Sequence, residues 1–232
     1  VAIGAGSVLA SQFHLMSHSI FKALLFLCAG SIIHSCGTRD MRVMGGFFKK
    51  MPIVGTCFII GAAALAGVPP VNGFWSKEVL LEAVHAGAPS WVYVLMVFAV
   101  ILTALYTIRC VWLVFFGKPR DKKLKTHDAG NWMRISLILL AAGTCLSWLL
   151  FGKFSEMLAN NLPLHGIEAE STGAMIGTIL TDPLTYLAIA MVLLGFLLWF
   201  LRKQLSGVSN AFCWLQKAAV NDFGFEDVNT GV

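Results

Sequence analysis

His14, His18 and Lys22 lie at four-residue intervals in an otherwise apolar stretch, 11–36. In an α-helix, each step of four residues rises about 6 Å and drifts only about 40° around the axis, so the three side chains would form one stripe. If this stretch crosses a membrane, the stripe predicts a row of water-bridged proton transfers, because ionisable groups at that depth generally mark proton or ion pathways. The alternative is that each histidine is a core residue hydrogen-bonded to a neighbouring helix.

Lys22 is the deepest of these groups. It lies about eleven residues from the start of the stretch and about fourteen from its end, which is roughly 16–21 Å of helix. That distance exceeds the reach of a lysine side chain, so the ammonium group cannot lie in the interface by snorkelling. A lysine that relays protons must alternate between its charged and neutral forms, and we predict that role for Lys22.

A second lysine follows a long apolar region, 52–86. As one helix this region would be about 52 Å long, whereas the hydrocarbon core of a bilayer is about 30 Å thick. The segment Gly67–Gly73, GVPPVNG, explains the excess length, because its two prolines lack a backbone donor and clash with the preceding turn. The sequence therefore predicts two half-helices, 52–66 and 72–86, joined by an unwound elbow at mid-membrane.

Lys77 would lie just beyond this elbow. Unwound backbone at membrane depth is tolerated only where it is buried in protein or lines a watery cavity. We therefore predict that Lys77 faces water or a charged partner and takes part in the proton chemistry. Glu78 would point about 100° away, so it either serves that chemistry or has a supporting, interfacial role. Arg109 does not release its proton, which favours structural pairing for that residue.

The elements that position these groups are predicted to be membrane helices. Hydrophobic residues make up 57% of the 232-residue chain and charged residues only 12%, about half the usual share in a soluble domain. We predict an all-α integral membrane protein with about five crossings, one of them the broken helix, and the start of an amphipathic surface helix in 210–232. The predicted crossings are 11–36, 52–86, 91–116, 132–151 and 183–201.

The net charge of +5 indicates topology rather than a nucleic-acid partner. Most basic residues lie in alternate connections between the apolar blocks, and the connections between those, including the predicted connection 152–182, are mostly acidic. This alternation follows the positive-inside rule, which places the basic connections on the cytoplasmic side. The basic residues, connection by connection, are Arg39, Arg42, Lys49 and Lys50; Lys118, Arg120, Lys122, Lys123, Lys125 and Arg134; and Arg202, Lys203 and Lys217.

The six cysteines are scattered, without the close spacing typical of iron–sulfur or zinc sites. We expect them to be small buried hydrophobic residues, and we expect no metal or cofactor in this chain. The chain opens at Val1 in the middle of a pattern and without a methionine. We therefore expect it to be one piece of a longer protein.

Four segments carry a family resemblance: FHLMSHSIFKALLFLCAGSIIH, MGGFFKKMP, GVPPVNGFWSKEVLLEA and LYTIRCVWLVFFG. Together they closely resemble the antiporter-like L subunit of respiratory complex I, over essentially the whole chain. That family includes the equivalent subunits of F420H2 dehydrogenase, photosynthetic NDH complexes and Mrp-type antiporters. Residues 1–117 resemble the second antiporter-like repeat, and residues 118–232 resemble the C-terminal helices and the start of a lateral amphipathic helix. The first inverted repeat of the family is not in this sequence.

The resemblance implies roles for five residues. His14, His18 and Lys22 match the family's mid-membrane proton-relay helix, and Lys77 matches the lysine of its broken helix, near the proposed outlet. The companion M and N subunits typically have a glutamate at the Lys77 position, which favours an L subunit. Glu78 stands where the L subunit often has an aspartate. Lys22 would receive a proton along the histidine row, and Lys77 would pass it towards the outer face.

The same resemblance implies a proton-translocating membrane subunit of an NADH- or F420H2:quinone oxidoreductase, in the inner or plasma membrane. Flavin, iron–sulfur clusters and quinone would bind to partner subunits, so this chain would hold no electron-transfer site. Its neighbours would be other membrane subunits, especially the M-type antiporter-like subunit, and lipid. Three alternatives stay open: a Na⁺/H⁺ antiporter subunit without redox coupling, a haem-binding cytochrome with His14 or His18 as ligands, and a scaffold subunit with inert buried charges.

Overall fold

The computed structural model describes residues 1–119, 126–162, 166–202 and 204. Within these ranges every regular element is helical, as the sequence predicts. The α-helices are α1 (Val8–Cys36), α2 (Pro52–Ala66), α3 (Asn72–Gly87), α4 (Ser90–Val111), α5 (Asn131–Leu146), α6 (Phe151–Asn161), α7 (Thr172–Thr181) and α8 (Pro183–Leu201). A π-helical turn, Trp112–Phe116, extends α4, and a 3₁₀ turn, Ser147–Leu150, joins α5 to α6.

The prediction of an all-α membrane protein is confirmed. In the described part of the chain, four helical stretches are long and apolar enough to span a bilayer: Val8–Cys36, Ser90–Phe116, Asn131–Asn161 and Pro183–Leu201. The pair α2 and α3 lies where the fifth crossing is predicted, and it is broken as predicted between Ala66 and Asn72. Helix α1 begins three residues before its predicted start, because the Ser7 hydroxyl accepts a hydrogen bond from the Ala10 amide at 3.2 Å and caps the helix there.

The predicted connection 152–182 is wrong. The chain continues from the fourth crossing as α6, and α7 follows after a short segment. Helix α6 is amphipathic: Phe151, Ser155 and Leu158 share its buried face, and the exposed Lys153 and Glu156 lie on the helix rather than in a loop. The polar face lowers the average hydropathy of this region, so a search for long apolar blocks does not find the helix.

The chain divides into two compact units, Val1–Phe196 and Leu197–Val232. In the described part of the second unit, the Arg202 guanidinium lies 3.8 Å from the centre of the Trp199 ring and donates a hydrogen bond to the Trp199 carbonyl. The predicted amphipathic helix in 210–232 lies outside the described residues. The predicted division between 117 and 118 stays a prediction.

The elbow between α2 and α3 follows from local chemistry. Helix α2 ends at Gly67, whose φ of +85° is left-handed and whose amide bonds to the carbonyls of Ala63 and Ala64. Beyond the two prolines, Gly73 passes so close to α2 that a Cβ atom there would lie 1.9 Å from the Ala64 carbonyl oxygen. Only glycine permits this approach, so the second half-helix starts directly against the end of the first.

The connections after α1 and after α4 meet at one end of the helices, called here the basic side. The His127 amide donates to the Ser35 hydroxyl at 2.7 Å, and that hydroxyl donates to the His127 carbonyl at 3.0 Å. Gly45 packs against the backbone of Lys118. The structure therefore places two of the three predicted basic connections on the same side, in agreement with the charge alternation.

Asp128 caps α2 from the connection after α4. The helix has no cap from its own N-cap residue, Met51. The Asp128 carboxylate instead accepts from the Ile53 amide at 3.0 Å and from the Val54 amide at 3.4 Å. A carboxylate at a helix N-terminus satisfies unpaired amides and complements the helix dipole. A residue about 75 positions away in sequence thus stabilises the first turn of the broken helix.

We expect Asp128→Ala to destabilise the first turn of α2 by about 1 kcal/mol, because two amides lose their acceptor. Amide hydrogen exchange of the full-length protein should be about five-fold faster in that turn. Asp40→Ala is the matched control: Asp40 binds the Arg42 side chain within its own connection, which holds the pKa of the Asp40 carboxyl below its usual value. Equal exchange in the wild type and Asp128→Ala would contradict the capping role.

Candidate functional site

The three predicted relay residues of α1 lie along one side of the helix. The ring centres of His14 and His18 are 5.9 Å apart, and the rings are tilted by 42°. The edge of His18 contacts Phe21 at 5.2 Å between ring centres. His14, His18 and Lys22 are all half-buried, so each side chain has one side in the protein and one side open.

The side chain of Lys77 extends back towards the elbow that precedes it in sequence. Its ammonium group donates a hydrogen bond to the carbonyl oxygen of Leu65, in the last turn of α2. The carbonyls at a helix C-terminus lack intrahelical partners and carry partial negative charge, so the break in the helix itself provides the acceptor. Gly67 leaves room for the side chain, since a Cβ atom there would lie 3.2 Å from Lys77 Cδ.

His14 connects the α1 row to Lys77. Its Nδ1 atom lies 3.2 Å from the Ser76 hydroxyl, and Ser76 is fully buried directly before Lys77 on α3. His14 and Lys77 also line the same cavity of about 110 Å³, whose walls come from α3 and α4. Because a water molecule takes up about 30 Å³ in the liquid, this cavity has room for a few waters between the two side chains.

Lys22 lines a second and larger cavity of about 330 Å³. This cavity includes Met41, which belongs to the connection after α1, so it extends from mid-helix towards the basic side. Leu65 also lines it, and its carbonyl accepts the bond from Lys77. Arg109 lies on the same wall as an exposed residue without an ion pair in the described part of the chain, so the structure does not show the structural pairing predicted for it.

Glu78 faces away from the Lys77 cavity. Glu78 is 7% exposed and lies beside Thr185, which is itself buried in α8. Asp182, just before α8, and Lys77 are its nearest charged neighbours. The structure therefore places Glu78 at the contact between α3 and α8, next to the row of relay candidates but outside it.

Sequence reasoning missed three partners of the site: the Ser76 hydroxyl, the Leu65 carbonyl and the Thr185 hydroxyl. Ser76 alone had a local signal, because it is a polar residue beside a deep lysine. The other two are an ordinary backbone carbonyl and a threonine more than 100 residues away, which become recognisable only when the helices pack. In the described residues, no group of three or more His, Cys, Asp or Glu side chains could hold a metal ion.

The histidine geometry does not fit the haem alternative. In bis-histidine haem the two ligands bind iron from opposite faces of the macrocycle. His14 and His18 stand side by side on one helix, with ring centres 5.9 Å apart and no room for a macrocycle between them. The pair is suited to passing protons along a helix rather than to axial ligation.

Comparison with known proteins supports the family resemblance predicted from the sequence. Residues 1–103 match the family described as NADH:quinone oxidoreductase/Mrp antiporter, TM. Subunit L of NADH-quinone oxidoreductase from Rickettsia bellii is 34% identical over 250 residues, which cover 98% of this chain and 37% of the relative. The resemblance predicted from the sequence is thereby confirmed, and the half-helix elbow, the histidine row and Lys77 all lie within the matched residues.

Other relatives come from distant organisms. Subunit L of F(420)H(2) dehydrogenase from Methanosarcina mazei is 43% identical over 150 residues, covering 60% of this chain and 22% of the relative. NADH-ubiquinone oxidoreductase chain 5 from Sus scrofa is 37% identical over 165 residues, covering 70% of this chain and 26% of the relative. The chain thus spans between 22% and 37% of the length of these three relatives.

Two solved structures contain a similar fold. The Mrp complex from Dietzia sp. DQ12-45-1b has a chain that matches 99% of this one with a TM-score of 0.70 at 22% identity, and the match covers 26% of that chain. The archaeal membrane-bound sulfane sulfur reductase matches 59% of this chain with a TM-score of 0.55 at 32% identity, and the match covers 23% of that chain. A similar fold therefore occurs in complexes with different names.

We expect Gly67→Ala to destabilise the elbow by about 1 kcal/mol, because a left-handed φ disfavours any Cβ atom and this one would press on Lys77. Thermal unfolding of the full-length protein, followed by the fluorescence of Trp75 and Trp148 beside the elbow, should begin at a lower temperature. Gly30→Ala is the control, since its Cβ would meet no atom within 4 Å inside the regular helix α1. An unchanged or higher unfolding temperature for Gly67→Ala would contradict this interpretation.

Proposed function

We propose that this chain is the proton-translocating part of an L-type membrane subunit in a complex I-type oxidoreductase, coupled to electron transfer in partner subunits. The observation that carries the proposal is the pairing of His14 and Lys77 in one cavity, at the end of a row that begins at Lys22. The family match over residues 1–103 and the L-subunit relatives support it.

The geometry suggests an order for the transfers. The larger cavity would bring protons from the basic side to Lys22, and His18 and His14 would carry them along α1 to the smaller cavity at Lys77. An imidazole can accept a proton at one ring nitrogen and release another from the second, so each histidine returns to its neutral form after a tautomer change. Lys77 would release the proton towards the opposite side, which the positive-inside rule makes the outer side.

Lys77 is suited to alternate between two states. As an ammonium ion it donates a hydrogen bond to the Leu65 carbonyl. As a neutral amine it can accept a proton from a water molecule in the cavity that it shares with His14. A charge moving nearby would favour one of these states over the other. The same proposal includes an electron donor, a quinone and an M-type neighbour in an inner or plasma membrane. These parts of it rest on the family resemblance alone.

We expect Lys77→Ala and Lys77→Arg in the full-length subunit of the assembled complex each to lose most proton uptake by inverted vesicles. Alanine removes the carrier, and arginine keeps its charge because a guanidinium group does not release its proton in proteins. Lys153→Ala, which removes an exposed lysine of α6, should retain wild-type uptake. Wild-type uptake by both Lys77 variants would overturn the role of this lysine, and uptake driven by a Na⁺ gradient without an electron donor would favour the antiporter alternative.

We expect His14→Phe to reduce proton uptake at least ten-fold, because the variant keeps an aromatic ring but breaks the row next to Lys77. Ser76→Ala should reduce it less, about two- to five-fold, since only the hydrogen bond that orients the imidazole is lost. His85→Phe is the matched control: His85 lies in the last turn of α3 and its ring contacts Tyr93. If His14→Phe pumps like His85→Phe, the row does not carry the protons.

A further inference from the structure

A groove lies between α1 and α4, with α2 as its floor. Helix α2 packs against both of these helices. The groove is the larger cavity of about 330 Å³, which Lys22 lines. Phe26 of α1 and Tyr106 of α4 line it as well, and they are 73% and 50% exposed, so the groove is open on one side. Its volume is about ten times that of a water molecule in the liquid, which leaves room for the side chains of another element.

The residues that line the groove have the spacing of helix faces. On α1 they follow the pattern i, i+3, i+4 and i+7, and on α2 the pattern i, i+4 and i+7. Rows of this kind interlock with the rows of a neighbouring helix. Ala29 and Ala62 are small, so the backbone of another helix can approach closely there. The rows consist of Lys22, Leu25, Phe26 and Ala29 of α1, and of Phe58, Ala62 and Leu65 of α2.

Two basic side chains line this groove without a counterion. Lys22 and Arg109 both belong to its walls, and none of the described residues that line it is acidic. In the described part of the chain, the ion pair that forms joins Asp40 to Arg42, outside the groove. An arginine keeps its charge, and charged side chains at membrane depth almost always have a partner or face water. The groove therefore calls for an occupant with negative charge.

The depth of Lys22 distinguishes between two such occupants. Lys22 is the central residue of the 29-residue helix α1, about 21 Å of helix from either end. Lipid phosphates lie outside the hydrocarbon core, at least about 15 Å from the middle of the bilayer, so they cannot approach Lys22. Arg109 lies two turns before the end of its crossing, where a lipid phosphate would pair with it but not with Lys22. A carboxylate on a transmembrane helix can lie at either depth, so the observations favour a helix.

We propose that the groove is the docking surface for a transmembrane helix of the assembled complex that lies outside residues 1–232, and that a carboxylate of this helix binds Arg109. A guanidinium group matches a carboxylate with two parallel hydrogen bonds. The apolar side chains of the docked helix would cover Phe26 and Tyr106 and exclude lipid from the groove. The inference rests on the charges and the shape of the groove, so it does not need the proposed function.

A docked helix would also change the surroundings of Lys22. The open side of the groove faces lipid, in which a charged amine has no partner. Covered by a helix, the groove becomes an enclosed cavity, and its end at Met41 still faces the basic side. Water and protons can then reach Lys22 from that side without contact with lipid chains.

The direct test is a cryo-electron microscopy map of the full-length subunit in its complex. We expect an α-helix in the groove, with an Asp or Glu oxygen within about 4 Å of the Arg109 guanidinium nitrogens. An empty groove, or a helix that offers no carboxylate to Arg109, would overturn the proposal. A lipid headgroup at Arg109 with its chains in the groove would overturn it in favour of lipid.

A second test uses the sign of the charge. Arg109→Glu would set one carboxylate against another, so we expect about ten-fold less intact complex on a native gel than for the wild type. Arg109→Lys keeps the positive charge and should lose no more than about three-fold. Arg39→Glu, the same change at an exposed arginine of the connection after α1, is the control and should assemble like the wild type. Equal amounts of complex with Arg109→Glu and Arg39→Glu would refute the docking of an acidic helix.

The lipid alternative has a signature of its own. We expect the wild-type complex to be equally stable in vesicles of phosphatidylcholine alone and in vesicles that also contain phosphatidylglycerol, because its counterion belongs to the protein. If the wild type loses as much intact complex in phosphatidylcholine alone as Arg109→Glu loses in the mixture, the negative charge at Arg109 comes from lipid. That result would overturn the proposal.

Discussion

The hydrogen bond from Lys77 to the Leu65 carbonyl is the interaction on which the site depends. Within a bilayer, a carbonyl without a partner is costly, and a charged amine without a partner is costlier still. The helix break leaves the Leu65 carbonyl without a helical partner and places the Lys77 amine within hydrogen-bonding distance of it. The exposed carbonyl of the elbow and the lysine therefore satisfy each other, and Lys77 lies five positions after Asn72, the first residue of α3.

Around that bond the molecule separates two cavities of different character. One leads from the connection on the basic side to Lys22, and the other joins His14 to Lys77. The histidine row runs between them on α1. A continuous water-filled channel would let protons flow back freely, whereas two cavities joined by titratable side chains pass a proton only when those side chains change state. The geometry is thus suited to controlled transfer.

The polar residues near the elbow fall into two groups with different physical roles. His14, Lys22 and Lys77 are ionisable, half-buried and line cavities. Ser17 and Asn72 are uncharged, fully buried and enclosed by stacked aromatic rings, so they are held in one arrangement. A relay needs both groups, because proton transfer between side chains requires a constant distance while their charges vary.

Local rules allowed the sequence to determine most of the fold. Block length predicted the five crossings, the chemistry of proline and glycine placed the elbow between Ala66 and Asn72, and helical periodicity put His14, His18 and Lys22 on one stripe. These rules did not find helix α6. Lys153 and Glu156 lower its hydropathy, and its buried face becomes recognisable only when the helices pack together.

What the tertiary structure alone decided was the choice of partners. Lys77 bonds to Leu65 across 12 positions of sequence, and His14 contacts Ser76 across 62. Glu78 lies beside Thr185 across 107 positions, and Asp128 caps the start of α2 across about 75. No periodicity or composition specifies such pairs. They depend on how far each helix is rotated and shifted against its neighbours, and that is settled by the packing of all the helices together.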